Sequence, residues 1–414
     1  MPSPSTAIKS FRLEGLDAAR GCAIALMFLS HTVKALLSFG MMPRWGVVPI
    51  HVMTKFSSTL FILVFGVTLS LVFLPKAGKS GWGDASWKMI KRAALIMLWY
   101  KILIVVQMFQ RSPPQAIIRT LTWQRFPDFV EILQFYAWFV LLLVVLLPLW
   151  KKLPFFGKGM MVAAFAISSW WLQNNFDFWG IWQLKAVLVE DDRAFCYGVI
   201  GRGAMALAGL YLGDLFLSRG DREVQSVKLG VLALFLGVAC LGTFITFQHT
   251  GVFAQMGYEF RTTYALLRSL AMNWGKHPPN LPFFLFSNGG AMTLLGLFLL
   301  ARGPALTLLK PLTIIGRESF VCFNFHIVMI FVGYRYFLDL RHNVTYPQAL
   351  ALTGGVFVSA IAAAHLNTLR KRRSNRRRTA RVEGAVRGGG PFGKLTTEEA
   401  AVASQFDTVA GPDR

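Results

Sequence analysis

The sequence predicts an all-α, polytopic integral membrane protein of about ten transmembrane helices, with both termini cytoplasmic. Three observations carry this. Hydrophobic residues make up 54% of the 414 residues, charged residues only 15%, and mean hydropathy is +0.49. A soluble globular chain carries about 25% charge. Apolar runs near the length of roughly 20 residues needed to cross a bilayer recur along most of the chain. A dense basic cluster then follows the last of them, where positively charged flanks mark the cytoplasmic side.

Taken in order, the runs centre on residues 18–38, 50–74, 92–109, 132–150, 159–174, 195–217, 228–248, 282–301, 311–333 and 346–367. The first lacks a small-residue cleavage signature and holds Arg20 and His31, so it reads as a retained span and not as a signal peptide. An even number of spans returns both termini to one side. The cluster Arg370, Lys371, Arg372, Arg373, Arg376, Arg377, Arg378 and Arg381 makes that side cytoplasmic. Residues 1–368 therefore read as one transmembrane domain and 369–414 as a basic, disordered cytoplasmic tail.

The formal net charge of +23 raises nucleic-acid binding, but the distribution argues against it. A basic run beside a span is the signature of a flank against anionic lipid. The expected partner is the bilayer, with anionic lipid at the tail and no nucleic acid. Cys22, Cys196, Cys240 and Cys322 all lie in apolar runs without a CxxC pair, so they read as packing residues with no disulfide framework and no metal site.

Two outer segments stand apart. Residues 170–182 hold Trp170, Trp171, Phe176, Phe178, Trp179 and Trp182, either an aromatic belt at the headgroups or a stacking surface for sugar rings. The loop 249–281 is long enough to cover an external site.

Polar residues inside spans are costly and mark functional sites. Arg20 and His31 are eleven residues apart, which brings a helix back to within roughly 20° of its starting face and about 16 Å along its axis. They share one stripe, with Arg20 near the cytoplasm and His31 roughly 10 Å below the outer surface. His326 in the ninth span, Arg202 in the sixth and Asn288 in the eighth reach about the same depth, which predicts a lined cavity. Asp17, Arg92, Arg317 and Glu318 join Arg20 in a cytoplasmic layer. Asp17 and Arg20 also fit a plain i,i+3 pair. Arginine suits bidentate phosphate binding, so the two layers suggest a phosphorylated donor below and an acceptor above.

Leu16-Asp17-Ala18-Ala19-Arg20-Gly21, with His31 eleven residues after the arginine, resembles the opening span of the acyltransferase-3 superfamily; Ala18-Ala19 stands where Gly-Leu is commoner. Ile315-Gly316-Arg317-Glu318-Ser319-Phe320 through His326 resembles the group's late Gly-Arg-x-Ser…His element. Phe129-Val130-Glu131-Ile132-Leu133-Gln134-Phe135-Tyr136 is similar to the periplasmic-glucan succinyltransferase branch. The family's early Arg-x-x-Arg is matched only by Arg219-Gly220-Asp221-Arg222, after the sixth span, and that role is not transferred.

The resemblance implies a plasma (inner) membrane O-acyltransferase that moves an acetyl or succinyl group from cytoplasmic acyl-CoA to an extracytoplasmic glycan or lipid-linked sugar. His31 and His326 would be catalytic, Arg20 and Arg317 donor-binding, and Arg202 and Asn288 acceptor or oxyanion groups. No cofactor is bound; acyl-CoA is a substrate. The residues fit this independently, because a histidine near its ordinary pKa of about 6.5 can take a proton from a weakly nucleophilic hydroxyl. A secondary transporter is the alternative, though no internal repeat supports it. A non-catalytic component of a glycan export assembly is a further one.

Overall fold

Hydrocarbon offers the backbone no hydrogen-bond partners, so apolar runs of this length close their bonds within helices. The computed structural model describes residues 13–37, 41–79, 81–110, 112–217 and 221–387, and these contain helices and connectors with no strand. Arg219 and the segment 388–414 lie outside them.

The first half comprises α1 (Glu14–Leu36), α2 (Phe56–Lys79), α3 (Trp82–Met108), the short α4 (Pro114–Leu121), α5 (Glu131–Lys152), α6 (Phe155–Asn175) and the short α7 (Trp182–Val189). The second comprises α8 (Gly201–Leu217), α9 (Arg222–His249), the short α10 (Val252–Gln255) and α11 (Thr263–Ala271), α12 (Leu281–Leu300), α13 (Pro304–Leu308), α14 (Lys310–Arg317), α15 (Ser319–Val328) and α16 (Tyr346–Arg387). A π-helical stretch, Met329–Phe337, prolongs α15.

Among the described residues, seven helices are long and apolar enough to cross a membrane: Gly46–Leu71, Glu131–Lys152, Phe155–Asn175, Glu223–His249, Leu281–Leu300, Ser319–Phe337 and Tyr346–Ser374. Helices α1, α3 and α8, at the first, third and sixth predicted spans, fall outside that set. α8 has 17 residues, and α1 begins with Glu14, Asp17 and Arg20.

Where a disordered tail is predicted from 369, α16 continues as helix to Arg387. Arginine, lysine and alanine are good helix formers, and a helix already nucleated in the membrane propagates through them without a new nucleus.

Burial sorts the helices. Phe28, Phe135, Phe139, Trp150, Phe323 and Phe331 are fully enclosed around α1, α5 and α15, whereas α6 is almost bare, with Trp170 and Trp171 exposed. Small residues allow the closest approaches, as is usual between helices in lipid. α1 lies along α14, because Gly21 meets the Leu312 carbonyl and Gly316 meets the Asp17 carbonyl. A Cβ at Gly316 would overlap that carbonyl oxygen. Gly316→Ala is expected to destabilise the protein by about 1–3 kcal/mol, the usual cost of overpacking. Thermal unfolding of the purified variant in detergent checks it; an unchanged midpoint would show that the two helices are free to part.

Candidate active site

Eleven residues of unbroken α1 carry Arg20 and His31 on one stripe. The partner element is broken. Glu318 leaves helical geometry (φ −112°, ψ 34°) between α14 and α15. That joint lets α14 follow α1 closely while α15 takes its own direction. His31 and His326 meet across it: Nδ1 of His31 lies 2.9 Å from Nε2 of His326. Their rings stack with centroids 5.1 Å apart and planes inclined by 21°. Phe28 and Phe323 each hold the His326 ring at 4.9 Å, and Phe129 meets the His31 ring edge-on at 5.2 Å.

A 2.9 Å contact between two imidazole nitrogens requires one proton between them. His326 Nδ1 is buried with no hydrogen-bond partner among the described residues. In the tautomer with the shared proton on His31 Nδ1, His326 Nε2 is the acceptor. His31 Nε2 then carries the free lone pair, the form a general base needs.

His31 borders a small cavity of about 30 Å³, shared with Ser30, Lys55, Ser57, Ser58, Glu131, Tyr197 and Lys276. That is room for about one water molecule. Lys55 is 4% exposed and donates to Asn273 Oδ1 at 2.7 Å. Lys34 stands nearby, paired with Asp128 at 3.3 Å. The Glu131 carboxylate is buried with Oε2 unpartnered.

At the other end of α1, Arg20 donates to Thr68 Oγ1 at 2.5 Å and to the Gly316 carbonyl at 3.4 Å, and pairs with Asp17 at 3.5 Å. Arg317 pairs with Glu14 at 2.9 Å and with Asp17 at 3.5 Å. Arg20 borders a second cavity of about 230 Å³, lined chiefly by aromatic and aliphatic side chains with Arg92, Thr68, Tyr136 and Ser319. Phe323 borders this cavity and packs on His326, so one ring separates the cavity from the histidine pair.

Arg202 and Asn288 do not join the pair. Arg202 is buried and bonded to Glu190 at 2.6 and 3.3 Å, and it donates to the Lys276 carbonyl at 2.8 Å. His277 Nδ1 lies 2.9 Å from the same Glu190. Burial pushes the Glu190 carboxyl up, but Arg202 and His277 outweigh it and hold the group below its usual range. Burial lowers His277 to about 4 against the opposing pull of Glu190. Arg202 therefore ties the loop that places Lys276 beside His31, which is a positioning role.

Asn288 is half-exposed and donates back to the Phe284 carbonyl at 2.9 Å. The inward residue on that turn is Ser287, bonded to Thr59 Oγ1 at 2.7 Å and to the Lys55 carbonyl at 2.8 Å. Equal depth fixes the layer but not the face, and one residue turns a helix by about 100°.

Sequence reasoning gave no site role to Lys55, Glu131, Glu190, Lys276 or His277, although His277 lies in the loop expected to cover an external site. Lys55 carried the same signal as His31, a charge inside a predicted span. The other four sit in connectors or at a helix start, where a charged residue is unremarkable.

The acyltransferase-3 family model, described as an acyltransferase domain, matches residues 13–365. No curated protein matches the chain.

Proposed function

The chain belongs to the acyltransferase-3 family, and on that premise we propose that it moves an acetyl or succinyl group from cytoplasmic acyl-CoA to a hydroxyl of an extracytoplasmic glycan or lipid-linked sugar. Membership makes it a membrane-embedded acyltransferase of the non-aminoacyl kind. The proposal sets ten spans in the plasma (inner) membrane, both termini cytoplasmic, with the Arg20 end of α1 inward and His31 outward.

The observation that carries the reading is the 2.9 Å histidine pair, placed about 16 Å along α1 from Arg20, which borders the larger cavity. His31 Nε2 takes the proton of the acceptor hydroxyl as its oxygen attacks the thioester carbonyl carbon. Negative charge grows on the carbonyl oxygen, and the Lys55 and Lys276 ammonium groups supply donors beside His31. The C–S bond then breaks. The proton held by His31 passes to the sulfur, leaving an ester and free CoA.

Arg20 is the donor-side residue of this scheme, with Arg317 behind it through Asp17. Acyl transfer by the purified protein in lipid nanodiscs, measured with labelled acetyl-CoA and succinyl-CoA, tests the assignment. Arg20→Ala is expected to raise KM for the donor by about 10- to 100-fold, the worth of a charge-assisted hydrogen bond of roughly 1.5–3 kcal/mol. Arg20→Lys, which keeps the charge facing Asp17 but loses the fork, separates donor binding from loss of fold. An unchanged donor KM in both variants would remove Arg20 from the site. Solute transport insensitive to acyl-CoA would favour the transporter instead.

A further inference from the structure

Coenzyme A carries its charge at the nucleotide end, as a 3′-phosphate and a pyrophosphate, far from the thioester. The Arg20 cavity, at about 230 Å³, lies below the roughly 300–1,000 Å³ of pockets that enclose a whole drug-sized ligand. A donor whose arm enters this cavity leaves its nucleotide outside, and the phosphates then need cations near the cavity.

The basic start of the α16 extension is tied to Glu318, the residue that precedes two of the cavity's lining residues. Glu318, the joint residue, accepts from Asn367 at 2.6 Å and from Lys371 at 2.7 and 2.8 Å. The next two residues after Glu318, Ser319 and Phe320, border the cavity. Glu318 also follows Arg317, which is tied to Asp17 and through it to Arg20. One chain of contacts thus joins Arg20, Asp17, Arg317, Glu318 and Lys371. Around Lys371, Arg370, Arg372 and Arg373 are exposed, and no carboxylate among the described residues pairs with any of the three. The helix runs on to Arg387, so these residues are presented on a continuous helix.

We infer that Arg370, Arg372 and Arg373, positioned by the Glu318–Lys371 pair, form the phosphate-binding flank of the donor site and hold the nucleotide end of acyl-CoA. This rests on the acyl-CoA reading above. The same arginines would attract the phosphates of anionic lipid, so the test separates the two sources.

The full-length protein with Arg370, Arg372 and Arg373 all changed to glutamine is compared with the unaltered protein in nanodiscs of phosphatidylcholine alone. KM for acetyl-CoA is expected to rise at least tenfold, and KM for S-acetylpantetheine, which lacks every phosphate, is expected to stay put. Binding of adenosine 3′,5′-bisphosphate, read by calorimetry without turnover, is expected to weaken in parallel. An equal shift for both donors, or none, overturns the inference. So does an effect that appears only when phosphatidylglycerol is added, because the phosphates are then the lipid's. If the bisphosphate binds through these arginines but no acyl-CoA is a substrate, the reaction assignment fails and the flank stands. If His31 and Arg20 variants lose transfer while the glutamine protein keeps its KM, only the flank fails.

Discussion

Replacing His31 with alanine is expected to lower acyl transfer by about 10²- to 10⁴-fold, the usual contribution of a positioned general base. The size follows from the arrangement. His31 is the one of the two histidines that borders the polar cavity, and His326 Nε2 lies 2.9 Å from its Nδ1, where it can accept a proton held there. His326→Phe should cost less, because His31 would keep its place but lose that acceptor. Steady-state rates with labelled acyl-CoA, read beside thermal unfolding of each variant, check both. Full turnover in His31→Ala would falsify the base assignment. Equal losses in the two variants with intact folding would instead make the pair one unit.

Glu190→Ala is expected to be the most destabilising single change, at about 3–5 kcal/mol, the range for removing one partner of a buried ion pair. It strips Arg202, 4% exposed, of its carboxylate and frees His277 from the same anchor. Lys276 should then lose its place at the His31 cavity, so kcat falls along with the unfolding temperature. Changing Arg202 to methionine in the same protein should recover part of the stability, since the unpaired buried charge is gone; a double variant no better than Glu190→Ala would contradict this account.

Acid acts in the same direction. His277 sits at about 4 when folded against an ordinary value of 6.5. A lowered folded value means its contribution is complete above pH 6.5 and shrinks as pH falls toward 4. Glu190, held below its ordinary 4.5, adds a further loss only below pH 4.5. Unfolding temperature against pH, in the unaltered protein and in His277→Gln, reads this directly: the variant's curve should be flatter between 6.5 and 4.

The membrane-helical class and the helix-bearing segments were legible in the sequence because hydropathy and helical length are local properties. So was the Arg20–His31 stripe, which depends on nothing but the pitch of one helix. Arg202 and Asn288 show where that reasoning stops. Both were placed by distance along their helices, and rotation decided otherwise: Asn288 turned onto its own backbone, while Ser287 took the interior. Arg202 was claimed by Glu190, a residue in a connector that no periodicity singles out. Lys276 and His277 reached the site through a loop fold set by tertiary packing. Residues 369–387 were read as disordered from their composition, which omits the helix already running into them.

The histidine contact joins residues 295 positions apart in the chain, and Gly316 seats the same two regions against each other. In a chain threaded into the membrane from its N-terminus, His31 waits through most of translation before its partner is made. Until then the half-built protein holds His31 without the ring that stacks on it. A chain cut short before α14 should lose more than His326→Phe does, because α1 then also lacks the helix that packs along it.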